Sequence, residues 1–172
     1  KTLGIIGLGE VGALAAGMAR GFGMRVLYCN RNRLPEAQEA KLGVEYASLD
    51  RLLAQSDFVS LHATNIPSNK GLVDGKTFSG MKPTAFFINT ARGPIVDEAA
   101  LCDALTRGTI AGAGLDVHAV EPRPMPDKLA TLRNVILTPH MAGFHVGYPS
   151  EAIPIVNENI RHFLAGDLDG MI

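Results

Sequence analysis

The sequence predicts an α/β protein: a doubly wound, mostly parallel sheet of about seven strands with helices on both faces. Three observations carry that prediction. Short apolar runs alternate with longer segments of helical period, the pattern of a parallel sheet covered on both sides. The first run is followed at once by a glycine-rich turn, Gly7 to Gly12, that opens a helical pattern. The length of 172 residues, 47% of them hydrophobic, suits one domain with ample material for a core.

The elements follow in order. Leu3 to Ile6, Arg25 to Asn30, Val44 to Ala47, Phe58 to Leu61, Ala85 to Asn89, Gly112 to Val117 and Val135 to Thr138 read as strands, mostly continuous apolar runs as expected of strands buried on both faces. Helical periods fall at Val11 to Gly21, Pro35 to Leu42, Ser48 to Gln55 and Asp97 to Thr106, with Ser48 and Asp97 as side-chain N-caps. A last helix runs from about Ser150 to Ala165, and Pro154 is expected in or near its first turn, where a missing donor costs little. The Pro-rich stretch Glu121 to Pro126 reads as a rigid loop. The chain opens directly on a core strand, as an excised domain would.

Composition excludes several function classes. Sixteen Lys plus Arg against seventeen Asp plus Glu, with no basic block, argue against a nucleic-acid partner and for a small one. No apolar run reaches the roughly 18 residues of a membrane span, so no membrane partner is expected. Cys29 and Cys102 lie far apart in apolar stretches, which suggests neither a disulfide nor a metal or redox pair and fits a reduced, cytoplasmic setting.

Gly7-Leu8-Gly9-Glu10-Val11-Gly12 is a GxGxxG between a strand and a helix. There Gly7 permits the tight turn, Gly9 lets backbone approach a pyrophosphate, and Gly12 packs helix on strand; the helix N-terminus then faces the anion with free N–H groups. A glycine-rich turn without a ligand is the alternative. Where an NAD site usually carries an acid at the end of the second strand, this chain has Asn30, followed by Arg31 and Arg33. The carboxylate that would repel a 2′-phosphate is absent, so NADP(H) is favoured with NAD as the alternative. One charged hydrogen bond is worth roughly 1.5 to 3 kcal/mol, so Arg31 alone could set a preference of about ten- to a hundredfold. Solvated loop arginines are the bland reading of the pair.

Three further segments, Ile88 to Glu98 (INTARGPIVDE), Gly114-Leu115-Asp116-Val117 through Glu121-Pro122, and Leu137-Thr138-Pro139-His140, occur in an order that resembles the cofactor domain of the D-isomer-specific 2-hydroxyacid dehydrogenases. The resemblance extends from the first strand to the final helix. It implies a Rossmann-type domain, with Arg92, Glu121 and His140 as the catalytic set. It also implies Asp116 at the nicotinamide carboxamide, and Ala63, Thr90, Ala91 and Gly143 among the cofactor contacts. The Asn30-Arg31 pair is similar to the NADP-using glyoxylate and hydroxypyruvate reductases of that family. A small 2-oxoacid or 2-hydroxyacid substrate follows, as do a homodimeric full-length protein and a second, substrate-binding domain that this chain does not include. The same fold and trio also occur in NAD(H)-sensing corepressors, against which Asn30-Arg31 argues.

The trio makes chemical sense by itself. A ketone beside a carboxylate needs a cation to hold the anion and polarise the carbonyl, which the planar fork of Arg92 can do just past a strand end. The alkoxide left by hydride delivery needs a proton, and an imidazole suits that task, hence His140. Glu121 across the loop would orient it. The bland alternatives are a structural role for His140, a solvated Glu121, and helix-capping roles for Asp97 and Glu98. His62 is expected to pack at its strand end and His162 to be solvated. His145, in the loop after His140, is expected to be solvated, with substrate contact as the alternative.

Overall fold

The computed structural model describes residues 1–144, 148–167 and 169. It divides into two compact units, Lys1–His140 and Met141–Ile172. In the first unit β1 (Thr2–Ile6), α1 (Glu10–Gly21), β2 (Arg25–Cys29), α2 (Glu36–Leu42), β3 (Glu45–Tyr46), α3 (Leu49–Gln55) and β4 (Phe58–Leu61) come first. They are followed by α4 (Gly75–Ser79), β5 (Phe86–Asn89), α5 (Glu98–Thr106), β6 (Gly112–Leu115), α6 (Lys128–Thr131) and β7 (Val135–Leu137). Single 3-10 turns lie at Pro67–Asn69 and Gly93–Ile95. All seven strands pair in parallel in the order β3-β2-β1-β4-β5-β6-β7. The order reverses between β1 and β4, and at such a switch point two loops diverge and leave a crevice.

Period-two alternation sorts the strand residues between two cores. Leu3 and Ile5 of β1 and Val26 and Tyr28 of β2 pack with Ala16 and Ala19 of α1. Ile6, Leu27, Val59, Leu61, Phe87, Ala113 and Leu115 turn the other way, against Leu52 of α3, Phe78 of α4 and Leu101 and Leu105 of α5. The expectation of strands buried on both faces holds in the middle of the sheet and weakens toward β7. Phe86 and Ile136, which alternate with residues of the second core, are exposed.

Ser48 and Asp97 cap their helices as expected, accepting the N–H groups of Arg51 and Ala100. The one-turn helices α4 and α6 escape a periodicity search because they are too short to show a 3.6-residue repeat. Local chemistry makes them: Asp74 and Thr77 form a reciprocal capping box, and Asp127 accepts the N–H of Leu129. In the second unit α7 spans Tyr148–Ala165, so its helix starts earlier than expected and Pro154 lies in its interior. There it removes a donor from the helical ladder instead of occupying a first-turn position.

Arg33 has a structural role. Its fork donates to both carboxylate oxygens of Glu39, at 2.9 and 2.7 Å, and its guanidinium lies over the ring of Tyr46 at 5.6 Å. The buried Tyr28 hydroxyl donates to the same carboxylate at 2.5 Å and accepts the N–H of Leu34. The fork of Arg33 is therefore filled from within the chain.

The Arg33 fork, and after it the Tyr28 hydroxyl, pull the Glu39 carboxyl down to about 2. A depressed folded-state value adds stability above the ordinary value of 4.5 and loses it as pH falls toward 2. In urea denaturation across that window, the stability gap between wild type and Glu39→Gln is expected to be largest above pH 5 and to close as the acid protonates. A gap independent of pH would remove Glu39 from the acid-labile set.

Candidate functional site

Each glycine of the first loop fits one part of the crevice. Gly7 has φ +96°, and a Cβ there would meet the Ala63 backbone within 2.8 Å, so the loop after β1 lies directly on the loop after β4. A Cβ on Gly12 would meet the Gly7 carbonyl at 2.6 Å, which is the close helix–strand contact expected of it. Around Gly9 there is open space, and no side chain caps the N-terminus of α1. Leu8 is buried, while Glu10 and Val11 are exposed in the first turn.

Asn30 secures this loop. Its Oδ1 accepts the Leu8 N–H at 2.6 Å and its Nδ2 donates to the Leu8 carbonyl at 3.3 Å, so both ends of the amide are used on the main chain of one residue of the glycine turn. The sequence marks Asn30 for the acid it replaces; the structure shows it as the latch of the loop. Arg31 is free of acidic partners among the described residues and reaches across to the Ser68 hydroxyl at 3.1 Å.

Two cavities meet beneath the loop, and Ala63 and Thr64 line both. One, about 500 Å³, holds Gly7, Cys29, Asn30, Arg31 and Ser68. The other, about 450 Å³, holds Val11, His62, Thr90, Ala91 and Arg92. A two-lobed trough with Ala63 and Thr64 at its waist, beside the uncapped N-terminus of α1, has the form that suits a dinucleotide. Burial pushes the Cys29 thiol up, away from thiolate chemistry. Packing at its strand end is the expectation for His62. It is half-buried in the wall of the Arg92 cavity, its Nε2 2.9 Å from the Ser60 hydroxyl, and burial lowers its pKa.

The Arg92 turn is built by Asn89, whose Oδ1 accepts the Ala91 N–H and whose Nδ2 donates to the Arg92 carbonyl. Asn89 also accepts the Asp116 N–H through its own carbonyl, which ties the ends of β5 and β6 together. Asp116 is buried and accepts the Thr138 hydroxyl at 2.5 Å, and its carbonyl accepts the His140 N–H. His140 has φ +54°, a left-handed conformation that costs a non-glycine residue of order 1 kcal/mol and recurs at functional sites.

Glu121 and His140 are in direct contact, Oε2 to Nδ1 at 2.7 Å, on the wall of a third cavity of about 570 Å³. Glu121 Oε1 accepts the His118 N–H at 2.8 Å. These two bonds, the imidazole first, hold the Glu121 carboxyl below the usual carboxylate range. Among the described residues no hydrogen bond joins Arg92 to this pair. Their loops nonetheless touch: a Cβ on Gly93 would lie 1.9 Å from the His118 carbonyl oxygen. Gly143 is exposed in a turn of the second unit, and His145 lies outside the described residues.

Sequence reading missed three participants here. Glu98, beyond any capping role, accepts the Ala119 N–H and an Arg123 guanidinium N–H; His118 is buried and bonded on both ring nitrogens; and Arg123 is enclosed by acids. Asp127 is held below the usual range by Arg123. The sequence signal was the sole Arg inside the Pro-rich stretch. Cys29 and Cys102 are free thiols, and among the described residues no acid, His or Cys cluster could hold a metal and no helix is long and apolar enough to cross a membrane.

A family model described as D-isomer specific 2-hydroxyacid dehydrogenase, NAD binding domain, matches residues 1–142. Glyoxylate reductase of Korarchaeum cryptofilum is 45% identical over 168 residues, covering 98% of this chain and 50% of that protein; its Thermococcus litoralis counterpart is 42% identical with the same coverage. The chain thus spans about half the length of the curated relatives it matches. A crystal structure of a glyoxylate reductase from Paecilomyes thermophila aligns with a TM-score of 0.85 at 40% identity, over 94% of this chain and 48% of the other. D-lactate dehydrogenase with NAD+ from Lactobacillus jensenii aligns with a TM-score of 0.85 at 35% identity, over 97% and 53%.

The Asn30 latch makes a prediction separable from cofactor choice. Asn30→Ala removes both partners of the Leu8 main chain, and at about 1 kcal/mol per bond, about 2 kcal/mol together, dinucleotide affinity is expected to fall about thirtyfold. NADPH and NADH should weaken together in fluorescence titrations; a change in their ratio would mean that Asn30 itself touches the distinguishing phosphate.

Proposed function

Because the chain belongs to the D-isomer-specific 2-hydroxyacid dehydrogenase family, as its NAD-binding domain, we propose that it is the cofactor half of a cytoplasmic 2-oxoacid reductase that uses NADPH. Its substrate is a small 2-oxoacid such as glyoxylate or hydroxypyruvate, and it works joined to a substrate-binding domain in a homodimeric full-length protein. The observation that carries this reading is the Glu121–His140 contact at 2.7 Å, on the sheet edge that also bears the glycine loop. The relatives named glyoxylate reductase favour the substrate class.

When bound, the reduced nicotinamide supplies a hydride to the carbonyl carbon. The residues of the chain do the rest. Glu121 takes Nδ1 of His140, which leaves Nε2 to pass a proton to the substrate oxygen as charge develops there. The carboxylate stabilises the imidazolium before that transfer and fixes the plane of the ring. Arg92 offers its fork to the substrate carboxylate and polarises the adjacent carbonyl. Asp116, buried beneath Thr138, presents a carboxylate for the nicotinamide carboxamide. Thr90, Ala91 and Ala63 line the trough as main-chain and small-side-chain walls.

NADPH preference rests on Arg31. With Arg33 committed to Glu39, Arg31 is the guanidinium left at the mouth of the larger lobe. In titrations NADPH is expected to bind at least about tenfold tighter than NADH, and Arg31→Ala to abolish most of that difference at roughly 1.5 to 3 kcal/mol per charged bond. Equal affinities would make Arg31 a solvated loop arginine with no part in cofactor choice.

The acid is tested in the full-length protein. His140→Gln is expected to lower kcat for glyoxylate reduction by roughly two to four decades while dinucleotide Kd stays nearly unchanged. Near-normal turnover would place the proton donor elsewhere.

A further inference from the structure

The loop that carries Glu121 has almost no main-chain support. Pro122, Pro124 and Pro126 lack a backbone donor, and between residues 118 and 126 no main-chain to main-chain hydrogen bond is present among the described residues. Side chains hold it instead, and Arg123 lies at their centre with 15% of its side chain exposed. Its Nε donates to Asp127 at 2.6 Å, and its Nη1 donates to Glu98 of α5 at 3.1 Å and to Nδ1 of His118 at 2.9 Å.

The third of these bonds reaches the reacting end of the site. A guanidinium can only donate, so Nδ1 of His118 accepts and the ring carries its hydrogen on Nε2. Nε2 then donates to the Thr138 carbonyl at 3.0 Å, two residues before His140. The main-chain N–H of the same His118 fixes Glu121 Oε1, whose other oxygen holds His140. Arg123 therefore reaches His140 by two routes, through the His118 ring to the end of β7 and through the His118 main chain to Glu121. Its charge is matched by Glu98 and Asp127, so it can be enclosed without an unpaired charge.

We propose that Arg123 is a positioning residue for ketone reduction: by clamping His118 between α5 and β7 it fixes the Glu121 carboxylate on the His140 ring. This rests on the catalytic reading of Glu121 and His140 above. The acids and bases around the clamp are Glu98 on α5, Asp127, His118 and Glu121 on the loop, and Asp116 and His140 at the ends of β6 and β7. Arg123 itself makes no bond to His140.

The test uses the full-length protein with NADPH and glyoxylate, kcat being normalised to active sites. Arg123→Gln is expected to lower kcat about tenfold, a fraction of what a positioned acid is worth, with glyoxylate KM and NADPH Kd within about twofold of wild type. The fall of rate at high pH should move to lower pH, in the direction that Glu121→Gln moves it. In a Glu121→Gln background the same substitution should cost less than about twofold, because the carboxylate it positions is gone. Arg123→Lys, which keeps the charge and loses the fork, should fall between, and carries the same readouts should Arg123→Gln fold poorly.

Unchanged normalised kcat would overturn the proposal, as would an undiminished tenfold loss in the Glu121→Gln background. A rise confined to glyoxylate KM would overturn it too, making Arg123 a substrate ligand. If Glu121→Gln alone leaves kcat unchanged, the catalytic reading fails, and the clamp is then decided by nitrogen-15 spectra of the histidine rings. His140 ring signals that move in Arg123→Gln as they do in Glu121→Gln uphold the positioning of the carboxylate, and signals that stay put refute it.

Discussion

The crevice at the strand ends depends on main-chain approaches too close for a side chain to intervene. Gly7 lies on Ala63, Gly12 on the Gly7 carbonyl, and Gly93 on the His118 carbonyl. The first and third join two loops, and the second packs helix on strand, at the carboxyl edge of a sheet whose strands all run one way. Parallel pairing brings every strand-end loop to that edge, but it does not set the distance between neighbouring loops. The glycines do, and they turn a row of loop ends into a trough with a waist.

The polar groups at the edge are held by a second, weaker principle. The loop from 118 to 126 is rich in proline and poor in main-chain bonds, so its geometry rests on charge-assisted side-chain bonds from Glu98, Arg123 and Glu121. Such bonds are roughly twice as strong as neutral ones and strongly directional. Proline limits the conformations the loop loses on ordering, and the carboxylates then select one of those that remain. The left-handed backbone of His140, tied to Asp116, is a local strain that this over-determined surrounding can hold.

Charge is divided between structure and site with little to mark the division locally. Arg31 and Arg33 stand two residues apart in the same loop. Arg33 closes on Glu39 and the Tyr46 ring, whereas Arg31 extends over the cavity to Ser68. The difference lies in what folds beside each: α2 brings Glu39 under Arg33, and the turn at Pro67–Asn69 brings Ser68 to Arg31.

Seven strands, the four longer helices of the first unit, the caps at Ser48 and Asp97, and the tight turn at Gly7 and close packing at Gly12 are legible in the residues alone. These follow from period, composition and local chemistry, which act over a few residues. The sequence also singled out Glu121 and His140, because the motif order preserved their types. Tertiary packing shows that Asn30 bonds Leu8, that Arg33 closes on Glu39, that His62 faces the Arg92 cavity, and that Arg123 bonds His118 and Glu98. Those outcomes depend on residues 5 to 30 positions apart, such as Arg123 with His118 and His62 with Arg92. Hydrogen-bond direction and burial at such separations are set by how strands and helices pack, and no local pattern of residues encodes them.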